Sequence, residues 1–227
     1  LNEITAATER LMTTVRGFSD EDIAAPSLLP GWTRGHVLTH IARNADGLRN
    51  LLTWAATGVE TPQYASREQR NADIEAGASR SAAEQLADLQ TSAVLFGEAV
   101  YAVPANRWHV MVRWTAGHER PARAILSARL REVEIHHVDL DTDYTPADWP
   151  PEFADRLLDR IVPVFDERDM EPVTLTSTET GRTWEIGAGG VQASGPTAVI
   201  AAWLIGRADG HELVVEAGSL PKPLPWS

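Results

Sequence analysis

The chain contains no cysteine. Disulfides, thiolate metal sites and cysteine nucleophiles are therefore excluded, and any thiol chemistry must use a thiol from outside the chain. Long apolar stretches are also missing. The longest runs, such as Ala198 to Ile205, fall far short of a bilayer span. No basic segment leads into an apolar one at the start, so no signal peptide is expected. Cytoplasmic placement without a membrane partner is the corresponding expectation. Basic residues are in deficit: 20 Lys and Arg against 32 Asp and Glu give a formal charge of −12. That field opposes a phosphate backbone, so no nucleic-acid partner is expected. It also repels small anions, so a small-molecule anionic substrate requires a locally placed Arg.

What is present is ordinary globular composition. At 227 residues, 43% of them hydrophobic, the chain can bury one large core or two modest ones. Ile4, Leu11 and Val15 fall at near-helical spacing over 1–17. Asp20, Pro26, Pro30 and Gly31 then mark a loop. A second helix is predicted from an N-cap at Thr33, through Val37, Leu38, Ile41, Leu48, Leu51 and Leu52, to a stop near Gly58. A loop from Thr61 turns helical after Ser66. A third long helix covers about Ala82 to Val103, with Leu86, Leu89, Val94 and Leu95, and ends at Pro104. The Trp-rich stretch 108–117 reads as short extended or irregular structure. A fourth long helix covers about Ala122 to Leu140. Four long helices joined by loops read as an up-and-down bundle with one long crossover.

A polar, proline-rich stretch from Asp141 to Pro151 suits a linker, placing the first domain at 1–147 and a second at 148–227. The second domain is predicted as a helix over about 152–167 and β-runs at Val173–Ser177, Thr183–Ile186 and Val191–Ser194. A helix with Pro196 in its first turn runs to Leu204, and a final strand covers Glu212–Glu216. The expected class is α+β.

The chemistry concentrates on two helices. In Arg131-Glu132-Val133-Glu134-Ile135-His136-His137-Val138-Asp139, Glu132 and His136 are four apart and share one helix face. On the second helix His36 and His40 are likewise four apart. One carboxylate and two imidazoles from facing helices make a three-ligand set for a divalent ion with one position open. Spacing does not choose between His36 and His40. The competing explanation for each pair is a solvated helix face, and for Trp32, Trp54, Trp108 and Trp114 it is core packing.

The segment Gly31-Trp32-Thr33-Arg34-Gly35-His36-Val37-Leu38-Thr39-His40, with Asn44-Ala45-Asp46-Gly47-Leu48 after it, resembles the first metal-ligand segment of the mycothiol-dependent maleylpyruvate isomerases. So do the stretch from Trp54 to Tyr64, Arg70-Asn71, the stretch from Arg129 to Leu140, Ser194-Gly195 and Gly206-Arg207-Ala208-Asp209-Gly210. The resemblance runs in order along nearly the whole chain. It implies an N-terminal DinB-like four-helix bundle with a small C-terminal α/β domain. It also implies zinc, or a similar divalent metal, held by His40, Glu132 and His136, and an essential C-terminal Arg at Arg207. The implied cofactor is mycothiol, a low-molecular-weight thiol. The implied reaction is cis–trans isomerisation of maleylpyruvate to fumarylpyruvate in gentisate-type aromatic breakdown.

On that reading a thiolate adds to the electron-poor double bond, the resulting single bond rotates, and the thiolate leaves. Arg207 would pair with the developing enolate or a carboxylate. Its competing explanation is a cation at a helix end. Tyr64, Arg70 and Asn71 would touch the thiol, or simply form a solvated loop and helix start. His36, Glu134, His137 and Asp139 are candidates for orienting the ligands, and Arg43, Arg131 and Lys222 are undistinguished cations. The alternative activity is mycothiol S-transfer to another electrophile at the same metal site.

Overall fold

A computed structural model describes residues 1–226, and its contacts divide the chain into two compact units, Leu1–Thr142 and Asp143–Ser227. The first unit is mainly helical. It contains α1 (Asn2–Arg16), α2 (Asp20–Ala24), α3 (Arg34–Thr57), α4 (Arg67–Gly77), α5 (Ala82–Ala102) and α6 (Ala124–Val138). A small antiparallel hairpin of β1 (Met111–Arg113) and β2 (Glu119–Pro121) precedes α6. Among the four long helices, α3 packs on α5 and α6, and α1 packs on the same two.

Helix α3 begins where its sequence says it should. Thr33 is its N-cap, Gly58 closes it, and Leu38, Ile41, Leu48, Leu51 and Leu52 are wholly buried. Each such side chain stabilises by about 1.5–3 kcal/mol, whereas an N-cap contributes about 1 kcal/mol. Packing therefore holds α3 in place, and the cap sets where it starts. Helix α6 has no solvated face of any width. Arg129, Glu134 and His137 are buried on it beside Ile125, Leu130, Val133 and Ile135. Burial on this scale requires partners for the polar groups. Arg129 donates to the Ile41 carbonyl at 2.7 Å and to Asn44 Oδ1 at 3.0 Å, tying α6 to α3.

Two local expectations are corrected, and the short extended piece expected over 108–117 is present. The loop read around Asp20 contains α2, because Ser19 and Asp22 form a capping box around a single buried apolar residue, Ile23. On α5 the buried face is Gln85, Leu89, Ser92, Phe96 and Val100, and Val94 is 61% exposed. The polar Gln85 is inside because its amide donates to the Gly77 carbonyl at 2.9 Å and exchanges hydrogen bonds with Thr39. The 108–117 stretch follows a 3₁₀ turn at Ala105–Arg107 and opens the β1–β2 hairpin.

The second unit contains a 3₁₀ turn at Pro146–Asp148, within the stretch read as a linker, then α7 (Pro151–Glu167), β3 (Val173–Ser177), β4 (Thr183–Ile186), β5 (Val191–Gly195), α8 (Thr197–Leu204) and β6 (Val214–Val215). The four strands form one sheet in the order β4-β3-β5-β6, with β3 and β5 parallel and the other pairs antiparallel. Helix α7 packs on α8 and β4. This unit and the helical first unit make the class α+β, as expected. The last strand is shorter than the predicted 212–216, because it pairs with β5 over only Ala193↔Val215 and Ser194↔Val214 at the sheet edge. Pro196 is the N-cap of α8 rather than a first-turn residue. No helix among the described residues is long and apolar enough to cross a membrane.

Candidate metal centre

Helices α3 and α6 bring His40, Glu132 and His136 together, and one ligand atom from each lies within 4.8 Å of the others. His40 Nε2 is 3.1 Å from His136 Nε2 and 3.0 Å from Glu132 Oε2, and His136 Nε2 is 3.6 Å from that oxygen. Ligands at about 2.0–2.1 Å from a tetrahedral ion stand roughly 3.4 Å apart. The three separations bracket that value. The Glu132 side chain is 31% exposed, yet its Oε2 is buried and accepts no hydrogen bond despite the two nearby nitrogens. A buried carboxylate oxygen without a donor, facing two imidazole nitrogens, suits a cation.

The surroundings of the two rings differ. His136 Nδ1 is 2.8 Å from Asp139 Oδ2, and Asp139 is fully buried. With its donor side committed to a carboxylate, the ring turns Nε2 toward Glu132. Burial pulls the His136 pKa down, but the hydrogen bond to Asp139 and the Glu132 carboxylate nearby overcome it and raise it to about 9. His40 is 6% exposed. Burial pushes its pKa down to about 4, despite the opposing pull of Glu132. Burial also works against the Glu132 anion, but His136 and His40 beside it hold its pKa well below the usual carboxylate value. The cluster favours a carboxylate and a neutral His40 without any ion.

His36 lies on the same stripe but is engaged elsewhere. Its Nδ1 accepts from the Thr33 backbone N–H at 3.1 Å as the third residue of the capping box, and its Nε2 is 3.2 Å from Glu75 Oε2. Trp32 stacks on His36 and sets its edge against His40, with ring centroids 6.0 and 5.7 Å apart. Glu134 and His137 meet α1 instead, through Arg10 at 2.5 Å and Thr14 Oγ1 at 2.8 Å. Among these candidates for orienting a ligand, Asp139 contacts a ligand ring.

Arg70, on α4, reaches His40. Its Nη2 is 2.9 Å from His40 Nδ1, its Nη1 donates to Asn71 Oδ1 at 3.0 Å, and its guanidinium lies 5.8 Å from the Tyr64 ring centre. The Tyr64 ring rests on α3 at Gly47, where a Cβ would stand 2.7 Å from it. Burial is the main reason that the Tyr64 hydroxyl pKa is raised, with Glu132 adding to it. Asn71 is exposed and touches the cluster only through Arg70. Arg43 pairs with Asp46 and Asp88. Spacing alone gave no sign that Arg70 touches His40, because the two residues sit on different helices.

Arg207 belongs to the second unit and follows the end of α8. Gly206 takes φ +73°, its N–H donates to the Trp203 carbonyl at 3.0 Å, and the Arg207 N–H donates to the Ala202 carbonyl at 2.7 Å. That pair of bonds is a Schellman motif, and its left-handed position favours glycine. The Arg207 Nη1 donates to the Ile205 carbonyl at 2.9 Å, so the helix-end explanation of this cation has a structural basis.

The model of the mycothiol maleylpyruvate isomerase N-terminal domain matches residues 4–141. The chain belongs to that family. It is 29% identical to a protein whose crystal structure is that of the mycothiol-dependent maleylpyruvate isomerase, with TM-score 0.92, over 99% of this chain and 95% of that one. A histidine-to-alanine mutant of a mycothiol-dependent maleylpyruvate isomerase matches at 28% identity with the same TM-score and coverage. No curated protein matches. The family's domain spans both α3 and α6, and so includes all three residues of the cluster.

Proposed function

We propose that this protein is a metal-dependent, mycothiol-using isomerase that converts maleylpyruvate to fumarylpyruvate. The observation that carries the reading is the convergence of His40, Glu132 and His136 on one point with a buried, undonated Glu132 oxygen. Family membership and the two related crystal structures support the substrate and the thiol. The lack of cysteine agrees with a thiol borrowed from outside.

His40 Nε2, His136 Nε2 and Glu132 Oε2 would hold zinc or a similar divalent ion. Such an ion, keeping net positive charge with one carboxylate and two neutral imidazoles, would ionise a thiol near neutral pH. The thiolate would supply reversible addition to the double bond, after which rotation about a single bond exchanges cis for trans.

The chain's own residues do the rest. Asp139 fixes the His136 ring so that Nε2 faces the ligand point. Trp32 covers the edge of His40 and helps keep it buried. Arg207 is assigned to the negative charge of the substrate or its enolate, with a planar fork suited to a carboxylate. Tyr64 and Arg70 line a cavity of about 210 Å³, which Arg70 links to His40 through its hydrogen bond, and they are the proposed contacts for the thiol.

The test is turnover of maleylpyruvate by metal-loaded protein with and without mycothiol. Isomerisation that requires both is the expected result. Loaded protein that forms no fumarylpyruvate with mycothiol present contradicts the proposal.

A further inference from the structure

The geometry points to Arg70 as a metal-displaced latch: its hydrogen bond holds His40 in the form that cannot bind an ion, and metal entry must release its guanidinium. This rests on the metal-site reading above and goes beyond it.

The argument is one of donors and acceptors. Arg has N–H donors and no acceptor. Its Nη2 lies 2.9 Å from His40 Nδ1, so that ring nitrogen offers its lone pair to Arg70. A neutral imidazole has one lone pair and one N–H, so the His40 proton sits on Nε2. That is the nitrogen facing Glu132 and His136. A metal at the shared point needs a lone pair on Nε2, which moves the ring proton to Nδ1. Nδ1–H and the Arg70 N–H then face each other as two donors, and the contact is lost.

His136 presents the opposite case. Its Nδ1 faces the acceptor-only Asp139 carboxylate at 2.8 Å, so its Nδ1–H is retained when Nε2 takes an ion. One ligand ring is therefore arranged for the metal and the other is held against it. Arg70 has room to leave. It lines the cavity of about 210 Å³ together with Tyr64, Asp46 and Asp73, and its side chain is only half-buried. Release would carry the guanidinium toward the Asp46 and Asp73 carboxylates that line that cavity.

The test is the zinc dissociation constant of the full-length protein, measured by competition with a chromophoric chelator. Arg70→Ala should bind zinc about tenfold more tightly than the parent, because no charged hydrogen bond is broken on binding. Arg70→Lys, which keeps the charge without the fork, should fall between them. Histidine-ring NMR of the metal-free parent should show the His40 proton on Nε2, moving to Nδ1 on zinc addition. Thermal unfolding confirms that each variant is folded. Zinc binding by folded Arg70→Ala that is equal to or weaker than the parent's overturns the latch and leaves the metal site standing. A parent that binds no zinc defeats both readings.

Discussion

The two histidine rings that meet at Glu132 come from different helices and have opposite neighbours. His136 stands on α6 with its outer nitrogen against the buried carboxylate of Asp139, three residues along the same helix. His40 stands on α3 with its outer nitrogen against a guanidinium from α4. The first neighbour stabilises positive charge on the ring and, against burial, helps raise His136 to about 9; burial is what lowers His40 to about 4, and the guanidinium adds to it last. A three-residue ligand set is thus not three equivalent residues. One imidazole is held ready by its own helix, and the other depends on what a second element does.

The largest expected effect comes from removing the shared oxygen. Glu132→Ala should weaken zinc binding by more than about 100-fold, since two imidazoles without a carboxylate make an incomplete site. Chelator competition reads this directly. Retained affinity would mean that the rings meet for packing alone.

Asp139→Asn breaks the comparison at its His136 side. The isosteric amide keeps the shape and loses the charge that orients the ring, so zinc affinity should fall by about 10- to 100-fold. An unchanged dissociation constant would show that Asp139 only caps the end of α6.

The pH dependence of the metal-free protein sharpens the same contrast. His40 is depressed from 6.5 to about 4, so its contribution is present above 6.5 and is lost as pH falls toward 4. His136 is raised from 6.5 to about 9, so its contribution is complete below 6.5 and fades as pH rises toward 9. Tm should therefore decline on both sides. Zinc should flatten the alkaline side, because the ion takes the place of the proton. A Tm curve flat from pH 6.5 to 9 without metal would contradict the His136 assignment.

The smallest effect is expected at His36→Ala. Zinc binding should be unchanged and stability should fall by less than about 1 kcal/mol, the share of half a capping box. Denaturant unfolding and metal competition on one sample measure both.

How much of this was legible in the sequence differs between these residues. Glu132 and His136 could be paired from their spacing, because both lie on one helix. The limits of α3 were legible from Thr33 and Gly58, and β3 and β4 from short β-branched runs. Choosing His40 over His36 required the family resemblance, although one local signal was available: His36 stands three residues after the N-cap Thr33, the position whose side chain turns back to the cap. Arg70 was legible as a candidate only by resemblance, because its contact with His40 joins two helices separated by a loop. Helix α2 and the short β6 were missed or overdrawn for a simpler reason. Five residues and two residues are too few for periodicity to register.

The most direct measurement is elemental analysis of purified parent, His36→Ala, His40→Ala, Glu132→Ala and His136→Ala after loading with zinc and removal of excess. An equimolar ion in the parent and in His36→Ala, with loss in the other three, is the predicted result. Unchanged stoichiometry in all of the variants would contradict the metal centre on which the proposed isomerase rests.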